Sequence, residues 1–357
     1  MINVTKTFLP DFEEYSRILK RAWDNAWITN NGELLQELEG KLAEYLGVEH
    51  LLFCSNGTVV LQLALKALQV SGEVITTPFS YVATTNALIW EGCTPVYVDI
   101  NERDFCIDVS KIEAAITADT SAILATHVYG NPCDVDAIAS LAAKYRLKVI
   151  YDGAHAFGVH YKDKPLLGQG DVSTCSFHAT KIFHTVEGGC LATNDAELAG
   201  ELKLIRSFGH VGDEYYRAGI NGKNSEFHAA MGLANLPHLP EIFDSRRRSS
   251  QLYDSLLQDL PLGRPIPLEN TKCNHSYYPV LFRDESTLLN VISALKDKDI
   301  MPRRYFYPSL NNLPYLPLNA SCPVSEDVAE RVLCLPLFHG LQSADQSLIC
   351  DIIKNHC

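Results

Sequence analysis

Apolar residues recur at helical spacing from Phe12 to Trp23, and again at Leu34-Leu35, Leu38, Leu42 and Leu46, where Gly47 supplies a C-terminal stop. These two segments predict an N-terminal helical arm. Beyond them, short apolar runs alternate with helical ones: Leu51 to Cys54, then Val59 to Leu68; Val74 to Thr77, then Val82 to Trp90; Val96 to Asp99, then Ile112 to Ile116. Ala122 to Thr126 precedes the helical Val135 to Tyr145, and Lys148 to Tyr151 ends at Asp152. Strand and helix in strict alternation predict a parallel or mostly parallel sheet covered by helices on both faces.

After Asp152 the pattern tightens to closely spaced strands near Thr174 to Phe177 and Gly189 to Thr193, then a helix over Ala196 to Ile205. Pro237 to Pro240 marks a boundary. It divides the chain into an arm and large α/β domain over residues 1–240 and a small C-terminal α+β domain over 241–357. The small domain opens with a long polar helix whose basic triplet Arg246-Arg247-Arg248 reads as a solvated face. A strand over Tyr277 to Phe282 and a helix over Leu288 to Lys296 follow, and a last helix begins at Ser343 with Gln346 completing a capping box.

Composition adds bounds rather than detail. With 357 residues, 46% hydrophobic and 20% charged, the chain has the make-up of a soluble globular protein with a large domain and a smaller companion. A formal net charge of -13 opposes non-specific binding to nucleic acid or to anionic membrane, so neither is expected as a partner. A phosphorylated ligand must therefore find local donors. The N-terminal residues lack the apolar core of a secretory signal, no stretch is apolar enough to span a bilayer, and a cytoplasmic location is expected. Eleven scattered cysteines without CxxC spacing suggest neither a disulfide framework nor a zinc site, so no metal is expected.

Three segments carry chemistry. Ser55-Asn56-Gly57-Thr58 joins a strand to a helix that starts at once, and so offers backbone N–H groups and a hydroxyl at the positive end of a helix, where a phosphate can sit. The same four residues also make an ordinary N-cap turn. Tyr151-Asp152-Gly153-Ala154-His155 begins at the C-terminal end of a buried strand, the edge of an α/β sheet where ligands bind. Asp152 there can cap a turn, or pair with a pyridine nitrogen and keep it protonated; His155 can pack against such a ring or bond its phenolic oxygen. Lys181, in Ser176-Phe177-His178-Ala179-Thr180-Lys181, lies between an apolar strand and Glu187-Gly188-Gly189. A tight turn there would place its amine in a cleft, and desolvation would make it a nucleophile. Cup, carboxylate and lysine follow one another as phosphate, pyridine nitrogen and aldehyde anchors, which is the set that pyridoxal 5'-phosphate (PLP) needs.

The segments WITN-G, TTPFSYVATTNAL, YGNPCDVDAI, YDGAHAFG, SFHATK, EGG and LCLPLFHGL extend this over nearly the whole chain. The sequence resembles the DegT-type sugar aminotransferases, PLP enzymes of the aspartate-aminotransferase fold type (fold type I) that act on nucleotide-linked keto sugars. The resemblance implies that Gly57, Thr58 and Ser176 hold the cofactor phosphate, Tyr81 stacks on the ring, Asp152 pairs with its nitrogen, His155 sits against it and Lys181 forms the Schiff base. Asn221 matches an asparagine that reaches the partner subunit's phosphate, which implies a homodimer with a shared site.

Two positions depart from the family pattern. Lys223 replaces an arginine, and lysine cannot form a bidentate fork on a donor carboxylate. Val186 precedes Glu187-Gly188-Gly189 where glycine is common, near the sugar. The run Pro302-Arg303-Arg304-Tyr305-Phe306-Tyr307, with His184 just after the lysine, is similar to the subset that aminates dTDP-linked 4-keto- or 3-keto-6-deoxyhexoses. Arg303, Arg304, Tyr305 and His184 are the substrate residues so implied, since arginines among aromatics can grip a diphosphate and stack on a sugar or base. The same run also reads as a surface loop packed on the small domain.

The expected reaction is transfer of an amino group from an amino acid, L-glutamate by resemblance, to dTDP-4-keto-6-deoxyglucose, giving dTDP-4-amino-4,6-dideoxyglucose for bacterial surface polysaccharide. A 3-aminotransferase of a dTDP-3-keto sugar is the alternative. The family's dehydratase branch carries histidine in place of the lysine, and Lys181 speaks against it. A non-catalytic PLP-binding regulator would have no need of both Lys181 and Asp152. A dehydrogenase is disfavoured because residues 55–58 lack the GxGxxG pattern.

Overall fold

A computed structural model describes residues 1–316 and 320–357. Helices α1 (Phe12–Asp24) and α2 (Glu33–Leu46) form the arm, and α2 ends at Gly47 in the left-handed conformation, as its glycine predicts. Seven strands follow: β1 (His50–Cys54), β2 (Glu73–Thr76), β3 (Thr94–Tyr97), β4 (Thr120–Thr126), β5 (Lys148–Asp152), β6 (Val172–Ser176) and β7 (Gly189–Thr193). Between and after them come α3 (Gly57–Ala67), α4 (Val82–Trp90), α5 (Val135–Tyr145), α6 (Ala196–Ile205) and α7 (Glu226–Asn235). The sheet order is β1-β7-β6-β5-β4-β2-β3. Strands β2 to β6 pair in parallel; β7 alone runs antiparallel, slotted between β1 and β6.

The strands carry apolar residues on both faces because both faces are covered. Phe53, Ile123, Val149 and Tyr151 pack toward α2, α5 and α7, while Leu52, Leu124, Ile150 and Leu191 pack toward α3, α4 and α6. The expected helix from Ile112 is shorter and earlier: a four-residue turn over Val109–Ile112 passes into a 3-10 turn over Glu113–Ala115. All eleven cysteines are free thiols and nine are buried. Among the described residues no helix is long and apolar enough to cross a membrane.

The main elements that follow are α8 (Leu239–Leu257), β8 (Tyr278–Leu281), α9 (Glu285–Lys296), α10 (Pro323–Arg331), β9 (Val332–Leu335) and α11 (Ser343–His356). Tyr253, Tyr278, Leu288, Leu333 and Ile349 share a second core. The first residues of the chain join this part, since Ile2–Asn3 pairs in parallel with Ile300–Met301.

Two local expectations fail. Gln342, not Ser343, caps α11, without a side-chain bond, and Gln346 is buried with its amide donating to Ser249 O at 2.8 Å. The basic triplet is not uniformly solvated. Arg247 and Arg248 pair with Asp244 on the surface, but Arg246 is 4% exposed and donates to Leu337 O and Ser276 O at 2.7 and 3.1 Å. Arg246 falls on the inward stripe of α8 with Ile242, Ser249 and Tyr253, so its helical position overrides its charge.

Candidate active site

The C-terminal ends of β5 and β6 are adjacent, and the start of α3 is folded beside them. Asp152 ends β5, 5% exposed. Its Oδ1 accepts the Ala154 N–H at 3.0 Å and its Oδ2 accepts the Thr84 hydroxyl at 2.6 Å. Both carboxylate oxygens are thus held in place by donors.

Ser176 ends β6, facing Gly57. A Cβ added to Gly57 would sit 3.0 Å from Ser176 Cβ and 3.1 Å from its Oγ, so only glycine leaves the space between them open. Asn56 caps α3, its Oδ1 accepting the N–H groups of Thr58 and Val59. The N-cap turn and the cup therefore coexist: Asn56 takes two of the helix's first donors, and Gly57 N–H and the exposed Thr58 hydroxyl have no partner among the described residues. Gly188 and Gly189 serve close approach rather than an unusual turn. A Cβ on Gly189 would lie 2.8 Å from Asn56 O and 2.9 Å from Cys175 O, where β7 threads between its two neighbours.

Lys181 lies in the loop that joins β6 to β7. The loop is closed at its base by Phe177 N–H on Gly188 O (2.8 Å) and Thr185 N–H on Phe177 O (2.9 Å), and filled by the buried rings of Phe177 and Phe183. The amine is directed into a pocket shared with His155, Ser176, Arg246 and Tyr277. Burial pushes its pKa below the ordinary lysine value, and the charge of Asp152 opposes that shift only in part. Tyr305 and Tyr81 are also within electrostatic reach of this amine.

His155 is buried, its Nδ1 accepting the Tyr129 N–H at 3.3 Å, so the neutral ring carries its proton on Nε2. Burial, then the nearby Lys181, holds its pKa well below the usual histidine range. The ring stacks on Phe306 at 5.6 Å and meets Tyr277 edge-on at 4.9 Å. Asn274 and Ser276 bond its carbonyl oxygen. Tyr81 is 58% exposed at the start of α4. Asn221 is exposed on the segment whose Gly222 O accepts the Ser55 N–H.

The four expected substrate residues separate. Arg303 is exposed, its guanidinium 5.4 Å from the Tyr305 ring. Arg304 turns the other way: it donates to Glu285 Oε1 at 2.7 Å and to Glu330 O at 3.0 Å, and lies over Tyr307. His184 is 1% exposed, its Nε2 donating to Phe8 O at 2.6 Å and its Nδ1 accepting the Val186 N–H at 3.2 Å. Neither Arg304 nor His184 faces the pocket. Their polar atoms are consumed by partners that segment composition could not reveal. Sequence reasoning in turn missed Thr84 and Phe306; the i, i+4 spacing of Ser80 and Thr84 was the available signal.

The model of the DegT/DnrJ/EryC1/StrS aminotransferase family matches residues 11–354. The dTDP-4-amino-4,6-dideoxy-D-glucose transaminase of Shigella dysenteriae is 43% identical over 349 residues, covering 96% of this chain and 95% of that protein. The enzyme of the same name from Escherichia coli is 42% identical over 351 residues, covering 95% and 94%. Among solved structures, DesI in the presence of its TDP-sugar product superposes with a TM-score of 0.94 at 34% identity, covering 99% of this chain and 92% of that one.

Proposed function

Since the chain belongs to the DegT/DnrJ/EryC1/StrS aminotransferase family, we propose that it is a PLP-dependent transaminase that moves an amino group from L-glutamate to dTDP-4-keto-6-deoxyglucose, forming dTDP-4-amino-4,6-dideoxyglucose. The observation that carries the chemistry is the desolvated amine of Lys181, which shares a pocket with His155 just past β5 and Ser176 at the end of β6. The acceptor rests on the similarity to two transaminases named for that product.

The donor set fits PLP: a buried primary amine, a buried carboxylate with both oxygens oriented, and an open cradle between Gly57 and Ser176 at a helix N-terminus. When bound, PLP supplies an aldehyde for amines and a ring that accepts electrons from the bond broken at the donor's Cα. Gly57, Thr58 and Ser176 would hold its phosphate, with the α3 dipole adding to their hydrogen bonds. Asp152 would face the ring nitrogen, Tyr81 would cover one ring face, and His155 would offer Nε2–H without bringing a charge. Lys181, its basicity lowered by burial, would take the proton from the donor's Cα and hand it to the cofactor, and would run the same transfer in reverse toward the sugar carbon in the second half-reaction. Arg303 and Tyr305 are the side chains of the 302–307 run left free to meet the nucleotide-linked sugar.

A homodimer with shared sites belongs to the same reading. Trp23, Trp27, Ile28, Phe208 and Ile220 are exposed apolar side chains that a partner subunit would cover. Asn221 would cross to the partner's phosphate.

Absorbance spectroscopy tests this. Bound cofactor should give a yellow protein, L-glutamate should convert it to the amine form, and dTDP-4-keto-6-deoxyglucose should restore the colour. Lys181→Ala should abolish the cycle. A cofactor that no amino acid converts would overturn the transaminase reading. Restoration only by a 3-keto sugar, or only by a UDP- or GDP-linked sugar, would overturn the acceptor.

A further inference from the structure

Four buried side chains form one row across the C-terminal edge of the large sheet. Thr126 Oγ1 donates to Ser80 Oγ at 3.1 Å, Ser80 Oγ lies 2.7 Å from Thr84 Oγ1, and Thr84 Oγ1 donates to Asp152 Oδ2 at 2.6 Å. None is more than 5% exposed. Thr126 and Asp152 are register partners at the ends of β4 and β5, and Ser80 and Thr84 come from the turn after β2 and the first turn of α4. The row thus crosses three neighbouring strand ends.

Its last member sets the direction of every proton in it. An ionised carboxylate only accepts, so Thr84 gives its proton to Asp152 and turns a lone pair to Ser80, which accepts in turn from Thr126. Hydroxyls aligned head to tail polarise one another, and because the row is buried that polarisation is little screened. Ala154 N–H occupies the other oxygen of Asp152. Each oxygen therefore has one fixed donor.

We propose that Thr84 is a positioning residue for the transamination: through the row from Thr126 and Ser80 it fixes the plane of the Asp152 carboxylate that faces the ring nitrogen of the cofactor. This rests on the pairing of Asp152 with that nitrogen. With the hydroxyl removed, the carboxylate is free to rotate out of the plane that meets the ring nitrogen, and a ring whose nitrogen loses that partner draws electrons more weakly. Threonine rather than serine adds a methyl group that limits χ1 and keeps the hydroxyl on Asp152.

The test compares wild type, Thr84→Val, Thr84→Ser and Asp152→Asn as holoenzymes, with circular dichroism confirming the fold of each. Two quantities are read without turnover: the dissociation constant of PLP, and the pH midpoint at which the visible band of the bound cofactor changes. Thr84→Val should weaken PLP binding by up to about tenfold, a fraction of one hydrogen bond to a charged group because the lost bond orients Asp152 rather than touching the cofactor, and displace the midpoint. Thr84→Ser should restore both. Thr84→Val at wild-type values while Asp152→Asn loses PLP would overturn the proposal and leave the role of Asp152 standing. Asp152→Asn at wild-type values would remove that role itself. If Thr84→Val does not fold, Ser80→Ala interrupts the row one step earlier. It should move the midpoint in the same direction by less, and an unmoved midpoint there overturns the proposal.

Discussion

Gly32 and Glu226 form a capping device that a double-mutant cycle can expose. α2 begins after Gly32 with no side-chain cap of its own. Its first N–H groups are met by a residue from α7: Glu226, fully buried, accepts Leu34 N–H at 2.7 Å and Leu35 N–H at 3.3 Å. A Cβ on Gly32 would lie 2.6 Å from Glu226 Cδ and under 3.0 Å from both carboxylate oxygens. Gly32→Ala must therefore push the carboxylate off the helix. Hydrogen bonds to a charged group are worth roughly 1.5–3 kcal/mol, so the loss should be about 2 kcal/mol. Glu226→Ala should cost about as much, because it leaves the same N–H groups unpaired. Once Glu226→Ala is present the obstacle is gone. Gly32 has an ordinary φ of -74°, so adding Gly32→Ala there should be neutral or stabilise by about 0.4–1 kcal/mol through the unfolded chain. The sign of one substitution thus reverses with the state of the other. Thermal unfolding at fixed protein concentration reads it: with about 2.1 cal/mol/K per residue over 357 residues, each kcal/mol moves Tm by about 1.3 °C. Equal losses from Gly32→Ala in both backgrounds would refute the reasoning.

Three further outcomes follow from the site. In cofactor-free protein the depressed Lys181 pKa means that the unfolded chain binds more protons between that value and the ordinary lysine range. The cost of the buried amine is then full below this window and fades as pH rises through it. Lys181→Met should raise Tm most at about pH 6 and least near about pH 10, and a gain that grows with pH would contradict the burial argument. Val186 is β-branched, 45% exposed and held at φ 69°, so Val186→Gly should stabilise by about 1 kcal/mol as backbone strain outweighs the added chain entropy, measurable by thermal unfolding. Arg304→Ala should destabilise by about 1–2 kcal/mol through the lost bonds to Glu285 and Glu330 with KM for the sugar unchanged, whereas Arg303→Ala should raise that KM about tenfold with Tm unchanged. Steady-state kinetics on both variants separate the two roles.

The sheet was legible because each strand had to be apolar on both faces while each helix needed one apolar stripe, and those are different periods. The one reversed strand was not legible. An apolar run such as Cys190-Leu191-Ala192 reads the same both ways, and only pairing with β1 and β6 shows it antiparallel. Around the site, the backbone-local features could be read: a glycine before a helix, a carboxylate at a strand end, a lysine in a short closed loop. What failed was aim. His184 and Arg304 were placed by chemical type, but their partners Phe8 and Glu330 are 176 and 26 residues away, and such partners decide where a polar side chain points. Arg246 erred in the other direction, since a charge suggests solvent and the helical stripe of Ile242, Ser249 and Tyr253 puts it inside.

These corrections share a cause that bears on Lys181 itself. Its depressed basicity needs a dry pocket, and the walls of that pocket come from distant parts of the chain. Arg246 of α8 holds Ser276 by its carbonyl oxygen, Ser276 and Asn274 hold the carbonyl of His155, and the Tyr129 hydroxyl bonds Tyr305 O beside the lysine. Thr7 of the arm bonds Ala179 O in the lysine loop from the other side. Strand β6 and its loop present the amine, but segments before residue 10 and beyond residue 240 take water away from it. A lysine in the same loop without them would be solvated, protonated at neutral pH and a poor nucleophile. The buried setting of Lys181 is therefore complete only when the chain's two ends close over the sheet, and the small C-terminal part walls its pocket as much as the strands do.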